Sequence, residues 1–162
     1  IGDTIEFTSL NPYRIKVTGR ISHFISAFGE HVIGSEIEKA LIVGLKKHKN
    51  EVFVREFTVA PKIDSKRGFS YHKWFIEFDR IPTDLKSLEK DIDISLQDQN
   101  IYYKDLIKGK ILRRLVIKAV EKNSFSKYMK KEGKLGGQNK VPKLSNDYKI
   151  ASFLDKYVIN KD

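Results

Sequence analysis

The sequence contains no cysteine. That excludes a disulfide framework and a thiolate metal site, and it removes cysteine usage as a guide to compartment. No apolar run approaches the ~18 residues of a membrane span, and no segment is patterned as a secretory signal. Histidine is scarce: His23, His31, His48 and His72 are the only four. None stands four residues from another, so no metal site is expected. There is no Gly-x-Ser-x-Gly elbow for a serine nucleophile and no Gly-Lys-Ser/Thr phosphate loop. Methionine occurs once, at Met129, and the chain opens on Ile1. The expectation is therefore an excised piece of a longer protein, carrying an incomplete active site.

What is present is basic. The 162 residues carry a formal charge of +10, and the length suits one domain able to bury a core without staples. The excess is concentrated: residues 104–149 hold 14 Lys/Arg against 4 Asp/Glu, while the rest holds 17 of each. Such a patch suits an anionic partner, whether nucleic acid, a nucleotide or an acidic protein surface. A solvated lysine face is the plainer alternative.

Hydrophobic periodicity sets out the elements. Ile15 and Val17 alternate with polar neighbours, which predicts a strand over 14–18 ended by Gly19. His23 to Phe28 reads as a second short strand, closed by Gly29. Ser35 precedes a run in which Ile37, Ala40, Leu41 and Leu45 share one face, so a helix is expected over 35–48. Ser35 and Glu38 are expected to form its capping box, and Lys46 and Lys47 suit its C-terminal dipole. Val52–Ala60 and Phe69–Phe78 are rich in β-branched and aromatic residues and predict an antiparallel hairpin, with Pro61 closing the first strand. Pro82 is expected to open a second helix through Leu85, Leu88, Ile92 and Leu96. Leu112–Val120 returns to strand. The order β-α-β-β-α-β from about 23 to 120 predicts an α+β fold with a ferredoxin-like core, both helices covering one sheet face. Extra C-terminal helices are expected near 124–131 and 147–158, flanking a glycine-rich loop at 133–142.

That loop carries the chemistry-bearing residues. Gly136 and Gly137 let backbone approach a ligand closely, and Lys134, Lys140 and Lys143 surround them. Pro142 stiffens the backbone beside Lys140, and a lysine so held can neutralise charge developing on a carboxylate or phosphate. Arg20, after Gly19 at a strand end, can hold a phosphate, ribose or carboxylate. Asp3 can accept from vicinal hydroxyls. Glu36 and Glu38 lie two apart on a helix and do not face each other, so they read as partners of the helix N-terminus. Phe69, Tyr71, Trp74, Phe75 and Phe78, interleaved with Arg67 and Lys73, read first as core. As a second reading they form a basic, aromatic sheet face for stacking RNA bases.

Taken together, the run from Thr18 to Leu41 resembles the hinge segment of the adenylate-forming superfamily, which includes acyl-CoA synthetases, firefly luciferase and peptide-synthetase adenylation domains. Its Gly19-Arg20, hinge position, apolar strand, glycine and helix opening on Glu36-Ile37-Glu38 follow the pattern without a gap. Gly2-Asp3 resembles the pair whose aspartate grips the nucleotide ribose. Leu135 to Pro142, with Gly136-Gly137-Gln138 and Lys140-Val141-Pro142, resembles the motif of the auxin-responsive promoter family of acyl acid-amido synthetases. The resemblance implies that residues 1–20 are a hinge-proximal segment and 21–162 a mobile C-terminal lid of a larger, cytoplasmic, ATP-dependent ligase. That ligase would form an acyl-AMP and pass the acyl group to an amine such as an amino acid. By residue-wise match, Asp3 and Arg20 would contact nucleotide, with Gly136, Gly137 and Gln138 beside it. Ser22 and His23 would be the hinge, and Lys140, with Lys134 second, the catalytic lysine. ATP and Mg would be held mainly by an N-terminal adenylation domain, the expected partner beside a carboxylic acid and an amine acceptor. The Pro-Lys-Thr-x-x-Gly-Lys type motif of the acyl-CoA synthetases is missing, which argues against thioester formation. An RNA-binding module is the alternative; on the main reading neither nucleic acid nor membrane is a partner, and the isolated fragment is inactive.

Overall fold

The computed structural model describes residues 3–20, 24–48, 52–63, 70–136 and 139–159. Strands β1 (Asp3–Leu10) and β2 (Tyr13–Arg20) form an antiparallel hairpin, turned at Asn11-Pro12, whose peptide is cis. Gly19 does not end β2, because it stays in the ladder opposite Thr4. Ile5 pairs with Val17 and Phe7 with Ile15, so these four residues share one face. All four are exposed.

The next strands, β3 (Phe24–Ile25) and β4 (Val32–Ile33), pair with each other in a separate small sheet. Helix α1 (Gly34–Lys47) follows at once. Its first turn is closed by Glu36, whose Oε2 accepts from the Ile33 N–H at 3.0 Å. The reciprocal carboxylate is thus Glu36 rather than Glu38, because the helix begins one residue ahead of the Ser35 expected to cap it. Helix α2 (Leu85–Gln99) starts three residues after Pro82, where Asp84 accepts from the Ser87 N–H at 2.8 Å. Asn100 breaks the run and caps α3 (Ile101–Lys108) by accepting from the Tyr103 N–H at 2.8 Å. The helices α1 and α2 meet where Gly44 faces Ile92.

The central sheet has the order β5 (Phe53–Lys62), β6 (Tyr71–Arg80), β7 (Val116–Val120), with the first pair antiparallel and the second parallel. Pro61 lies inside β5 instead of closing it, which an edge strand tolerates. The α+β class and the β-α-β-β-α-β order from Phe24 to Val120 are as expected, and the topology is compatible with a ferredoxin-like core. The first strand of that order sits in its own hairpin, so the central sheet is built by the last three.

Side-chain alternation divides the sheet into two buried faces. Phe57, Val59, Trp74, Ile76, Phe78, Ile117 and Ala119 pack with Ile37 and Leu41 of α1 and Leu88, Ile92 and Leu96 of α2. On the other face Ala60, Phe75 and Val120 pack with Phe125, Tyr128 and Met129 of α4 (Ser124–Lys131) and Ile150 and Leu154 of α5 (Lys149–Leu154). The polar residues of this second face are bonded to the chain that covers it. Glu77 accepts from the Asn123 N–H at 2.8 Å, Lys73 pairs with Asp155, and the Thr58 hydroxyl donates to the Pro142 carbonyl at 2.7 Å.

This arrangement takes away three of the sheet aromatics on which the RNA alternative rested. Trp74 and Phe75 are wholly buried, Phe78 nearly so, and Phe57 stacks on Trp74 at 5.9 Å. Helices cover both sides of the central sheet, so Trp74, Phe75 and Phe78 are not available for bases to stack upon. Phe69 and Arg67 lie outside the described residues.

Both sheet edges are also closed. Glu89 and Asp93, one turn apart on α2, accept from the Ile117 and Leu115 N–H groups at 2.9 and 3.2 Å. Further along β7, Tyr157 O accepts from Glu121 N–H and the Ile159 N–H donates to Ala119 O, each at 2.9 Å. At the β5 edge the Val59 N–H donates to Lys143 O at 2.9 Å, and the Ser145 N–H donates to Val59 O at 3.1 Å. Exposed edges invite pairing with other chains. Here carboxylates of α2 and residues after the glycine-rich loop bond to them.

Candidate functional site

The loop from Gly133 to Pro142 runs from the end of α4 to the β5 edge. Gly136 has a φ of +90°, a backbone conformation that favours glycine. Gly137 and Gln138 lie outside the described residues, as do Ser22 and His23. Lys134, Gly136, Asn139 and Lys140 line one cleft of about 470 Å³, together with Arg55, Glu56, Glu77, Asn123 and Ser126. The two lysines named by sequence are therefore brought to one site, and both are exposed.

Lys140 also lines a second, larger cleft of about 1470 Å³. Its other walls are the N-terminal turn of α1 (Gly34, Ser35, Glu36, Glu38, Lys39), Lys16 and Val17 of β2, and Asp98 and Gln99 of α2. The clefts meet at Lys140, Val141 and Glu56, which line both. The loop thus faces the hairpin that carries Asp3 and Arg20. Those two residues are direct partners across the β1–β2 ladder, and Val17 stands three residues before Arg20 on the same strand.

The backbone just after Lys140 is tied down. Val141 is buried in the second core cluster and Leu144 in the first. Between them, Pro142 O is held by Thr58, and Lys143 pairs with Glu56 while lying 4.6 Å from the centre of the Phe57 ring. The lysine at 143 is thereby engaged with β5. The lysine at 140 projects from a backbone fixed one residue downstream. Thr58, Glu56 and Arg55 were not marked by sequence pattern, since their partners stand far along the chain and no local spacing points to them.

A buried polar network lies between the β3–β4 loop and β6. His72 of β6 and Glu30 of the β3–β4 loop are both 0% exposed, with His72 Nε2 and Glu30 Oε1 at 2.8 Å. The other carboxylate oxygen accepts from the Phe28 N–H at 2.8 Å. Burial alone would raise the Glu30 carboxyl, but the His72 hydrogen bond and charge, with backbone donors, hold it below its ordinary 4.5. The His72 ring lies 5.1 Å from the Tyr103 ring, and the Tyr103 hydroxyl donates to Asp93 at 2.7 Å. Tyr103 is raised well above 10.0 by burial and by that carboxylate. The network joins the β3–β4 loop to the sheet and, through Tyr103 of α3, to α2.

Among the described residues no group of three or more His, Asp or Glu is arranged to hold a metal ion, and no helix is long and apolar enough to cross a membrane.

Comparison with known proteins follows the same lines. The family profile described as the GH3 family C-terminal domain matches residues 35–149. Among solved structures, a GH3.15 acyl acid amido synthetase shares 19% identity and superposes with a TM-score of 0.76, covering 99% of this chain and 31% of its own. The AtGH3.15 acyl acid amido synthetase in complex with 2,4-DB also shares 19% identity, with a TM-score of 0.75, covering 99% of this chain and 30% of its own. At that identity the superpositions establish the fold. No curated protein matches the chain. The chain spans less than a third of the length of these relatives, and its profile match, which takes in α1, the central sheet and the loop with Lys134 and Lys140, places it in the GH3 (auxin-responsive promoter) family as that family's C-terminal domain.

Proposed function

We propose that this domain is the mobile lid of an ATP-dependent acyl-acid amido ligase, working with an N-terminal adenylation domain in the cytoplasm. In the first step a carboxylate oxygen of the acid attacks the α-phosphorus of ATP. The bond to pyrophosphate breaks and an acyl-AMP forms. In the second an amine, such as that of an amino acid, attacks the acyl carbon and AMP leaves. The isolated domain has no turnover.

The observation that carries this reading is the placement of Lys140: exposed, at the junction of two clefts, and anchored by the residue that follows it. Adenylation brings two anions together. A cation delivered only when the lid closes stabilises the charge at that moment, which raises the rate without tightening ground-state binding. Lys140 fills that role, with Lys134 across the same cleft as the second cation. Gly136, Gly137 and Gln138 would let backbone approach the nucleotide. Asp3 would accept from the ribose hydroxyls and Arg20 would lie at the nucleotide edge; their pairing across the hairpin supports a shared role. Ser22 and His23 would be the pivot. ATP and its Mg would be held mainly by the N-terminal domain.

The exposed apolar face of the β1–β2 hairpin supports such a partner, because a two-stranded ribbon with an uncovered apolar face is marginal in water. The test is pyrophosphate exchange in the full-length chain. Lys140→Ala should slow acyl-AMP formation by about 10²-fold or more with an unchanged melting temperature. An unaltered exchange rate sinks the assignment of Lys140.

A further inference from the structure

We infer that Thr58 is a positioning residue for Lys140, acting through the carbonyl of Pro142; the inference rests on the reading of Lys140 given above. Thr58 sits on β5, 84 residues from Pro142 in sequence, and is 1% exposed. Its hydroxyl donates to Pro142 O at 2.7 Å. A buried threonine on a sheet face it shares with Ala60, Phe75 and Val120 is a costly choice unless its hydroxyl is bonded. Pro142 O is the partner it has.

The bond acts on a short lever. Pro142 is two residues from Lys140, and the intervening Val141 is buried. Proline has a fixed φ and restricts the residue before it. Fixing the Pro142 carbonyl therefore fixes the plane of the next peptide, and with Val141 seated, the direction from which the Lys140 side chain leaves the backbone. On the far side, the paired hydrogen bonds between Val59 and residues 143 and 145 hold the strand-like continuation. Lys143 is pinned to Glu56. Thr58 is the one of these contacts that touches the motif itself. Displacement of a catalytic cation by about 1 Å costs up to ~10²-fold in rate, so a side chain that touches no substrate can still set the rate.

The experiment is a double-mutant cycle in the full-length chain, read as the rate of pyrophosphate exchange. Thr58→Val keeps the shape and removes the donor. It should lower the maximal rate about 10-fold and leave the KM for ATP within about twofold, because the lysine acts on the transition state. Thr58→Ser should restore the rate. In a Lys140→Ala background Thr58→Val should have no further effect. Amide exchange in the peptide 139–145 should rise in Thr58→Val while the rest of β5 is unchanged, and Thr58→Ala should give the same rise if valine crowds the site.

Three outcomes overturn the inference. Thr58→Val can leave the rate and the exchange unchanged. It can lower the rate equally in both backgrounds, which is a general structural effect. Thr58→Ser can fail to rescue. If Lys140→Ala is itself silent, the reading of Lys140 falls and takes this inference with it. If Lys140→Ala is slow and Thr58→Val is silent, only the inference falls.

Discussion

His72 Nε2 lies 2.8 Å from Glu30 Oε1, with both side chains fully buried. The pair ties the loop between β3 and β4 to β6 in the middle of the chain. Glu30 is held below its ordinary 4.5, against the effect of burial, by His72 and backbone donors. Its folded value is lower than its unfolded one, so its contribution is present above about pH 4.5 and is lost as pH falls through the folded value. Urea unfolding at stepped pH should show stability falling below about pH 5. In Glu30→Gln the slope should be shallower. Parallel curves for the two proteins would show that Glu30 is not the titrating group.

Truncating the partner should cost more than titrating the acid. His72→Leu leaves a buried carboxylate without its donor, and losses for broken buried pairs run at about 3–5 kcal/mol. Chemical denaturation of the variant near pH 7 measures this. A loss under about 1 kcal/mol would mean the loop rearranges to let water reach Glu30.

At the alkaline end the same network works in the opposite sense. Tyr103 is raised well above 10.0, by burial first and then by Asp93. Its neutral form is favoured by folding, so its contribution is present below pH 10 and is lost as pH rises towards the folded value. Tyr103→Phe should flatten the alkaline limb of the stability profile. It should also cost about 1–2 kcal/mol near neutrality, since Asp93 loses a donor. An alkaline limb that is unchanged in the variant would assign it to another group.

Gly44 of α1 lies directly against Ile92 of α2. A Cβ there would stand 2.5 Å from Ile92 Cγ1 and 3.3 Å from Ile92 N. Alanine in a helix interior normally gains about 1 kcal/mol over glycine. Overpacking typically costs about 1–3 kcal/mol, and the backbone contact limits how far Ile92 can yield. Gly44→Ala is therefore expected to lower the melting temperature despite its helix propensity. A rise would show that the two helices slide apart freely.

The apolar face of the β1–β2 hairpin has a measurable consequence for the domain alone. Ile5, Phe7, Ile15 and Val17 are 49–62% exposed on one face. Contiguous exposed apolar side chains drive association. The isolated domain should self-associate with rising concentration in sedimentation velocity, and Phe7→Ser with Ile15→Ser should shift it to monomer. A wild-type domain that stays monomeric at high concentration contradicts this.

Local pattern was enough for several elements. The Ile37, Ala40, Leu41 spacing marked α1, the Leu88, Ile92, Leu96 spacing marked α2, and α4 at 124–131 was expected where it stands. The motif residues Lys134, Gly136 and Lys140 were also visible, because a chemical motif is contiguous in sequence. Periodicity reports which side chains share a face, and it does so within a few residues. It does not report what covers that face. Thr58, Lys73 and Glu77 are polar residues on strands, and no local spacing marks them as covered, yet all three are buried. Each found its partner 46 to 84 residues away. The pairing of Phe24–Ile25 with Val32–Ile33, the closure of both sheet edges and the anchoring of the loop behind Lys140 are of the same kind. They depend on hydrogen bonds between segments brought together only when the C-terminal chain folds back over the sheet. Sequence alone determined the kinds of element and the residues of the motif. Tertiary structure decided where the motif points, because a buried polar group must be bonded and the donors it needs lie far along the chain.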